Sequence, residues 1–413
     1  MTLPFDVHAP QGRRLRVVAL LLLWLMVPAC SRRRSEDAAS PPAAAPPVVR
    51  RDAAVGDASR PAAASRPAGD VIPVEERQKV AARLSFISER DGNREVYLIR
   101  PDGQEERRLT SDPIADYNGP ASPDGTALVL MSAQGEGGPQ RFFVYPLGGG
   151  KPRKLGPDLG RLRYPSWSPD GRWLVFESNL QSHFSDLYRI GRDGAGLRRL
   201  TDNPEGNFEP ALSPRGDAIV FVSSRDRVAE LYRMRADGTG SQRLTNTPRD
   251  EWGARWSPDG ELLVFVSDRE SAERVYVMPA SGGEAKRVSQ RDLDVQVVET
   301  SPTWAPVGRR LAYVLREPPQ PSRLVIADVT PSGPRVVGEL SDPGGGALGE
   351  PAWSPEGRYL ALTVTQGKDT QIAIARADGT GLVKVTKAQG PNWNPQWVPP
   401  EMPRKVGGAG ERR

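Results

Sequence analysis

The sequence predicts an all-β fold, a single β-propeller of seven blades with four antiparallel strands each. Two observations predict it. A proline-glycine turn recurs as Ser122-Pro-Asp-Gly125, Ser168-Pro-Asp-Gly171, Ser213-Pro-Arg-Gly216, Ser257-Pro-Asp-Gly260, Ala305-Pro-Val-Gly308 and Ser354-Pro-Glu-Gly357, at spacings of 46, 45, 44, 48 and 49 residues. A period of about 40–50 residues built from short strands is that of blades stacked around an axis. Strand content between the turns also repeats in order. After Arg172 come Trp173–Ser178, rich in apolar and aromatic residues, then Asp186-Leu-Tyr-Arg-Ile190, Arg192-Asp-Gly194, Leu197-Arg-Arg-Leu-Thr201 and Glu209-Pro-Ala-Leu-Ser213. Four short strands separated by turn residues make one blade.

The individual signals have separate physical origins. In Ser-Pro-Asp-Gly, proline fixes φ near −65°, aspartate hydrogen-bonds locally and glycine takes the left-handed conformation. Leu231-Tyr-Arg-Met234, Val275-Tyr-Val-Met278 and Val96-Tyr-Leu-Ile99 match as third strands, and Leu109-Thr110, Leu200-Thr201, Leu244-Thr245, Val288-Ser289 and Val385-Thr386 end the units. Trp167, Trp256, Trp304, Trp353 and Trp397 share one repeat position just ahead of the turns or their equivalent, which assigns them to packing between blades. Arg83–Thr110 supplies three strands without a first, and Asn394–Trp397 supplies a first strand without a blade. The two halves are expected to pair, so that the C-terminal strand seals the ring. Six blades stays open should the divergent stretch Leu311–Leu340 fall short of a full blade.

The ends read differently. Arg13, Arg14 and Arg16 precede the apolar run Val17–Val27, which would span only about 16 Å as a helix, against a hydrocarbon core of about 30 Å. It reads as a signal-peptide core. Val27-Pro-Ala-Cys30 resembles the lipobox of bacterial lipoproteins, and Cys30 is the single cysteine of 413 residues. The resemblance implies cleavage after residue 29, acylation of Cys30 and, with Ser31 next, the periplasmic face of the outer membrane. The expected division is a signal over 1–29, a disordered Ala/Pro-rich tether over 30–80, the propeller over 81–398 and a loose tail over 399–413. The net charge of +5 comes from the ends, because the repeat region holds about 40 basic against 41 acidic residues. Nucleic acid is excluded as a partner on that balance.

The phrase Pro-x-Trp-Ser-Pro-Asp-Gly-x-x-Leu-x-Phe, followed by Leu-Tyr and Arg-Leu-Thr, resembles the TolB-type (PD40, WD40-like) propeller repeat from about Arg83 to Trp397. WD40 proper is disfavoured because its Gly-His and Trp-Asp elements are missing. The resemblance implies a periplasmic propeller that binds envelope proteins, as TolB binds peptidoglycan-associated lipoprotein. This chain departs from TolB in having no room for an N-terminal α/β domain and in its lipobox. Prolyl oligopeptidases carry similar propellers. Their catalytic domain has no counterpart after Trp397, the expected mature chain has His183 alone, and no Gly-x-Ser-x-Gly elbow occurs. The expectation is a non-enzyme without cofactor or metal. Ser88–Asn93, Ser223–Asp226 and Ser267–Glu270 bear oxygen-rich turns, but calcium needs six to eight oxygens and these lie in different blades.

A partner is expected at the funnel. Four residues before each turn, or its equivalent, stand Asn118, Tyr164, Glu209, Gly253, Ser301, Glu350 and Asn394, and just ahead lie Asp116, Arg163, Phe208, Glu251, Trp252, Glu299 and Trp393. The expected site takes Asn118, Tyr164, Glu209, Glu251, Trp252, Glu299, Glu350, Trp393 and Asn394, a mixture of carboxylates and aromatics suited to a basic or amide-rich segment of an envelope protein. A glycan or small-ligand receptor using the same funnel, and an accessory propeller of a separate peptidase, are the alternatives. The propeller itself is expected to be monomeric.

Overall fold

The computed structural model describes residues 71–402 except 112, 134–139, 290, 292–295 and 389. Cys30, the signal, the tether up to residue 70 and the tail from residue 403 lie outside the described residues. Within them the chain forms seven four-stranded antiparallel sheets. Blade 1 takes β1 (Arg83–Ser88), β2 (Glu95–Ile99) and β3 (Arg107–Arg108). Blade 2 is β4 (Ala115–Ala121), β5 (Ala127–Ala133), β6 (Gln140–Pro146) and β7 (Arg153–Lys154); blade 3 is β8 (Leu162–Trp167), β9 (Trp173–Ser178), β10 (Asp186–Gly191) and β11 (Arg198–Arg199). Blade 4 runs through β12 (Asn207–Leu212), β13 (Ala218–Ser223), β14 (Glu230–Arg235) and β15 (Gln242–Arg243). Blade 5 follows with β16 (Glu251–Trp256), β17 (Leu262–Ser267), β18 (Arg274–Pro279) and β19 (Lys286–Arg287). Blade 6 has β20 (Val298–Trp304), β21 (Arg310–Arg316), β22 (Arg323–Thr330) and β23 (Gly333–Leu340), and blade 7 has β24 (Ala347–Trp353), β25 (Tyr359–Gln366), β26 (Asp369–Arg376) and β27 (Val383–Lys384). The last strand, β28 (Asn392–Val398), pairs with β1 and seals the ring in blade 1.

Blade 6 settles the count at seven, since Leu311–Leu340 forms three full strands of a complete sheet. Its β22–β23 hairpin lacks the Leu-Tyr and Leu-Thr markers and is instead carried by two eight-residue strands. The other six outer strands are two residues long and rich in Arg and Lys. Short charged edges resist pairing with foreign strands.

The hydrophobic clusters lie between blades rather than within them. One joins blades 7 and 1 through Tyr359, Ile372, Leu84 and Phe86, and another joins blades 3 and 4 through Val175, Leu187, Ile219 and Phe221. The repeat tryptophans pin five of the seven seams, with Leu212 at the equivalent position in the seam of blades 3 and 4. The indole N–H of Trp256 donates to the Ala211 carbonyl of the preceding blade at 2.9 Å. Trp167, Trp304, Trp353 and Trp397 do the same to Pro120, Arg255, Thr303 and Ala352 at 3.0–3.2 Å. The turns close as their chemistry dictates: Ser168 Oγ donates to Asp170 at 2.6 Å and accepts the Trp173 N–H at 3.1 Å. At Gly125, with φ +70°, a Cβ would stand 2.5 Å from the Pro399 carbonyl, so the chain just after the closing strand leaves room for glycine alone.

The stretch 71–80 corrects the tether boundary. It holds a short helix, α1 (Val74–Gln78), and Val71 bridges to Gly381. Ile72 is fully buried among Tyr359, Val385 and their neighbours. Arg77 donates to the Ile72 and Pro101 carbonyls, and Glu76 bonds Arg376 and the Tyr359 hydroxyl. Ile72 and Val80 supply the buried apolar surface that the preceding Ala/Pro stretch lacks, so this segment folds onto the seam of blades 7 and 1, while Val71 and Val74 stay exposed.

Candidate functional site

Each innermost strand bends once, at a β-bulge, and those bends shape the channel. Register breaks fall between Arg163/Ser166, Phe208/Ala211, Trp252/Arg255, Thr300/Thr303 and Gly349/Ala352, with a matching break in blade 1 and one a residue later in blade 2, between Asn118/Ala121. At the bulge, Tyr164, Glu209, Gly253, Ser301, Glu350 and Asn394 adopt φ between +50° and +68°. Five of these six carry a Cβ in the left-handed region, a cost of roughly 1–2 kcal/mol each.

The strain is answered by bonds from blade to blade. Glu209 Oε2 accepts the Gly253 N–H at 2.7 Å, and Glu350 Oε2 accepts the Asn394 N–H at 2.6 Å. Asn394 donates to the Asn118 Oδ1 at 2.9 Å, and Asn118 returns a bond to the Asn394 carbonyl at 3.0 Å. Glu177, on β9, accepts the Glu209 N–H at 3.0 Å. Several of the expected funnel residues therefore also build the wall they line.

The expected site residues divide in two. Tyr164, Glu209, Trp252, Glu350, Trp393 and Asn394 are half-buried along the channel. Glu251 and Glu299 are fully buried and do not face it, and Asn118 is 5% exposed. Glu251 accepts from Thr247 and Ser267 at 2.8 Å and from Arg269 at 3.2 Å. Glu299 accepts the Val275 N–H at 3.0 Å and the Ser289 hydroxyl. The reason is alternation: each stands one residue ahead of the channel-facing position, and adjacent strand residues point to opposite faces.

The channel-facing ring just ahead of the bulges is Trp393, Tyr117, Arg163, Phe208, Trp252, Thr300 and Gly349, from blade 1 to blade 7. Sequence reasoning placed Asp116 here, but it is 1% exposed and Tyr117 takes the mouth. Strict alternation from Trp252 and Phe208 would have found Tyr117. The ring carries two aromatic arcs. Trp393 meets Tyr117 edge-to-face at 6.1 Å, with the Arg94 guanidinium over both at 5.6 and 5.5 Å. Phe208 and Trp252 form the second arc, on blades 4 and 5, and the side of blades 6 and 7 is lined by small residues.

Around Tyr164 stand Glu209, Glu177, Arg255 and Arg163, and the Glu209 charge together with burial pushes the Tyr164 hydroxyl well above its ordinary range. Burial raises the Glu177 carboxyl to about 7. Burial also raises Glu350, opposed only by the Asn394 N–H.

The oxygen-rich turns are occupied by their own hairpins. Arg90, Arg225 and Arg269 each donate to a serine of their turn at 2.9 Å and lie 4.4 Å over Tyr97, Tyr232 and Tyr276. Asp91 and Asp226 accept the hydroxyls of Tyr97 and Tyr232. Among the described residues no group of three or more His, Cys, Asp or Glu is placed to hold a metal ion. His183 is exposed and meets Phe184 edge-to-face.

Comparison with known proteins gives the ring its relatives. Residues 120–251 and 201–299 match the TolB beta propeller domain model. An uncharacterized protein of Agrobacterium fabrum is 32% identical over 134 residues, 32% of this chain and 44% of that protein. A Protein TolB homolog of Chlorobium chlorochromatii is 32% identical over 159 residues, covering 38% of this chain and 35% of the homolog. The chain thus spans less than half the length of these relatives. A puromycin-hydrolyzing peptidase of Mycobacterium tuberculosis superposes with a TM-score of 0.55 at 17% identity, over 77% of this chain and 55% of that one. That likeness shows the propeller fold.

Proposed function

We propose that this TolB-like propeller is a non-catalytic protein-interaction module of the cell envelope, whose channel mouth takes an extended segment of a partner protein. The observation that carries the reading is the pair of aromatic arcs, Trp393 with Tyr117 and Phe208 with Trp252, half-exposed around one mouth. Tryptophan and tyrosine supply large contact area at low entropic cost and dominate interface energetics. The repeat tryptophans differ: their indole N–H groups are spent on neighbouring blades, so they build the ring and leave recognition to the mouth.

The envelope setting rests on the signal and the lipobox at Cys30, and relatives named TolB homologs agree with it. In this reading Cys30 is acylated and the tether suspends the propeller in the periplasm from the outer membrane.

The test is retention from detergent-solubilised envelopes on the full lipidated protein. The wild type is expected to enrich one envelope protein, and Trp252→Ala with Trp393→Ala is expected to lose it at least about tenfold, as removal of two hot-spot aromatics does. Equal enrichment by the double variant, or specific retention of glycan with no protein, would contradict the reading.

A further inference from the structure

Resting on that reading of the mouth, we infer that Glu350 is its cation subsite and holds the ammonium or guanidinium of a lysine or arginine in the bound segment. Glu350 sits at the bulge of β24 with φ +50°. Its Oε2 accepts the Asn394 N–H at 2.6 Å, which fixes the carboxylate against the channel wall. An ionised carboxylate has about four lone-pair sites, and this one has a single donor within the protein. Among the described residues no lysine or arginine forms an ion pair with it.

Glu209 provides the internal contrast. It occupies the equivalent position and accepts the equivalent N–H, from Gly253 at 2.7 Å. Arg163 and Arg255 act on the Tyr164 hydroxyl beside Glu209, so arginines stand on that side of the channel. The Glu350 carboxyl is acted on by burial and by the Asn394 N–H. Its neighbours are small: Ser301 at the equivalent position of blade 6, Thr300 ahead of it, and Gly349 beside it. Ser301 is the exposed member of the bulge ring, so the mouth is open on this side. On the other flank stands Trp393, half-buried and already faced by the Arg94 guanidinium at 5.6 Å. One carboxylate beside hydroxyls falls short of the six to eight oxygens of a calcium site, whereas it matches one organic cation.

The experiment uses the full lipidated chain in detergent and a phage-displayed library of random linear dodecapeptides. The wild type is expected to select peptides with Lys or Arg at one fixed position. Acetylating that lysine should weaken binding by at least about tenfold, the scale of losing one partner of a partly desolvated charge pair. Glu350→Gln keeps an acceptor for the Asn394 N–H and so keeps the wall. It should weaken the unmodified peptide by the same factor and leave the acetylated peptide unchanged, while Glu356→Gln, in the exposed proline-glycine turn of the same blade, leaves the preference intact. Selected peptides that lose nothing on acetylation, or Glu350→Gln retaining the full lysine preference, overturn the inference and leave the mouth standing. Failure to select any peptide whose binding depends on Trp252 and Trp393 overturns both.

Discussion

Gly253 is the one member of the bulge ring without a side chain, and it isolates what the bend costs. Its φ is +68°, and a Cβ there would meet nothing closer than the Val266 Cγ2 at 3.9 Å. Gly253→Ala therefore adds backbone strain without a clash. We expect it to lower stability by about 1–2 kcal/mol, read as a midpoint shift in chemical denaturation with unchanged slope. Glu177 makes a second prediction. It is 3% exposed, and burial raises its carboxyl from 4.5 to about 7. A carboxyl that binds its proton more tightly folded than unfolded stabilises the fold below that window, and the contribution is lost as pH rises through it. Its share of stability should fall by up to about 1.4 kcal/mol per pH unit between about 4.5 and 7, and Glu177→Gln should flatten that slope while keeping an acceptor for the Glu209 N–H. Glu251 acts in the same direction: burial, and then the adjacent Glu230 carboxyl, hold its proton on. The Oε2 atoms of Glu230 and Glu251 are both buried without a hydrogen-bond partner among the described residues. None of this was legible in the sequence, because a bulge breaks the period-two pattern at the residue that decides which side chain faces the channel. Glu251 and Glu299 lie ahead of the bulge, where plain alternation from Trp252 and Thr300 turns them inward.

Among the elements, the strands with strong local chemistry were the legible ones. Tryptophans, Ser-Pro-Asp-Gly turns and Leu-Tyr strands recur because most seams and hairpins use the same bond in the same place, with Ala121 and Leu212 replacing the tryptophan in blades 2 and 4. Trp256 shows the magnitude. Trp256→Phe keeps most of the buried ring but leaves the Ala211 carbonyl without its 2.9 Å donor, a loss of about 1–3 kcal/mol. A thermal shift of a few degrees would register it. A midpoint unchanged within error would mean that the indole N–H contributes nothing to the seam. Blade 6 was less legible, since β22 and β23 hold together by strand length rather than by the repeat markers. The helix α1 was hidden by averaging, because Val71, Ile72 and Val74 are three apolar residues at the end of fifty dominated by Ala, Pro and charge.

At the scale of the whole molecule, the unpaired halves at the two ends of the repeat region foretold the closure, and β28 on β1 delivers it. Docking of 71–80 over the same seam adds a second fastening there, so the point where the ring closes is held by both ends of the propeller. A ring so fastened presents two different ends. One carries the proline-glycine turns, each bonded to itself and packed beside the next blade. The other carries the aromatic arcs and the open side at blades 6 and 7. The central claim is that this second end meets the partner. Its most direct test places a photoreactive residue at Phe208 or Thr300 in the mouth, or at Arg215 in a proline-glycine turn, in the full-length protein in living cells. The expected result is one common envelope protein crosslinked from both mouth positions and absent from Arg215. Crosslinks from Arg215 with none from the mouth would contradict it.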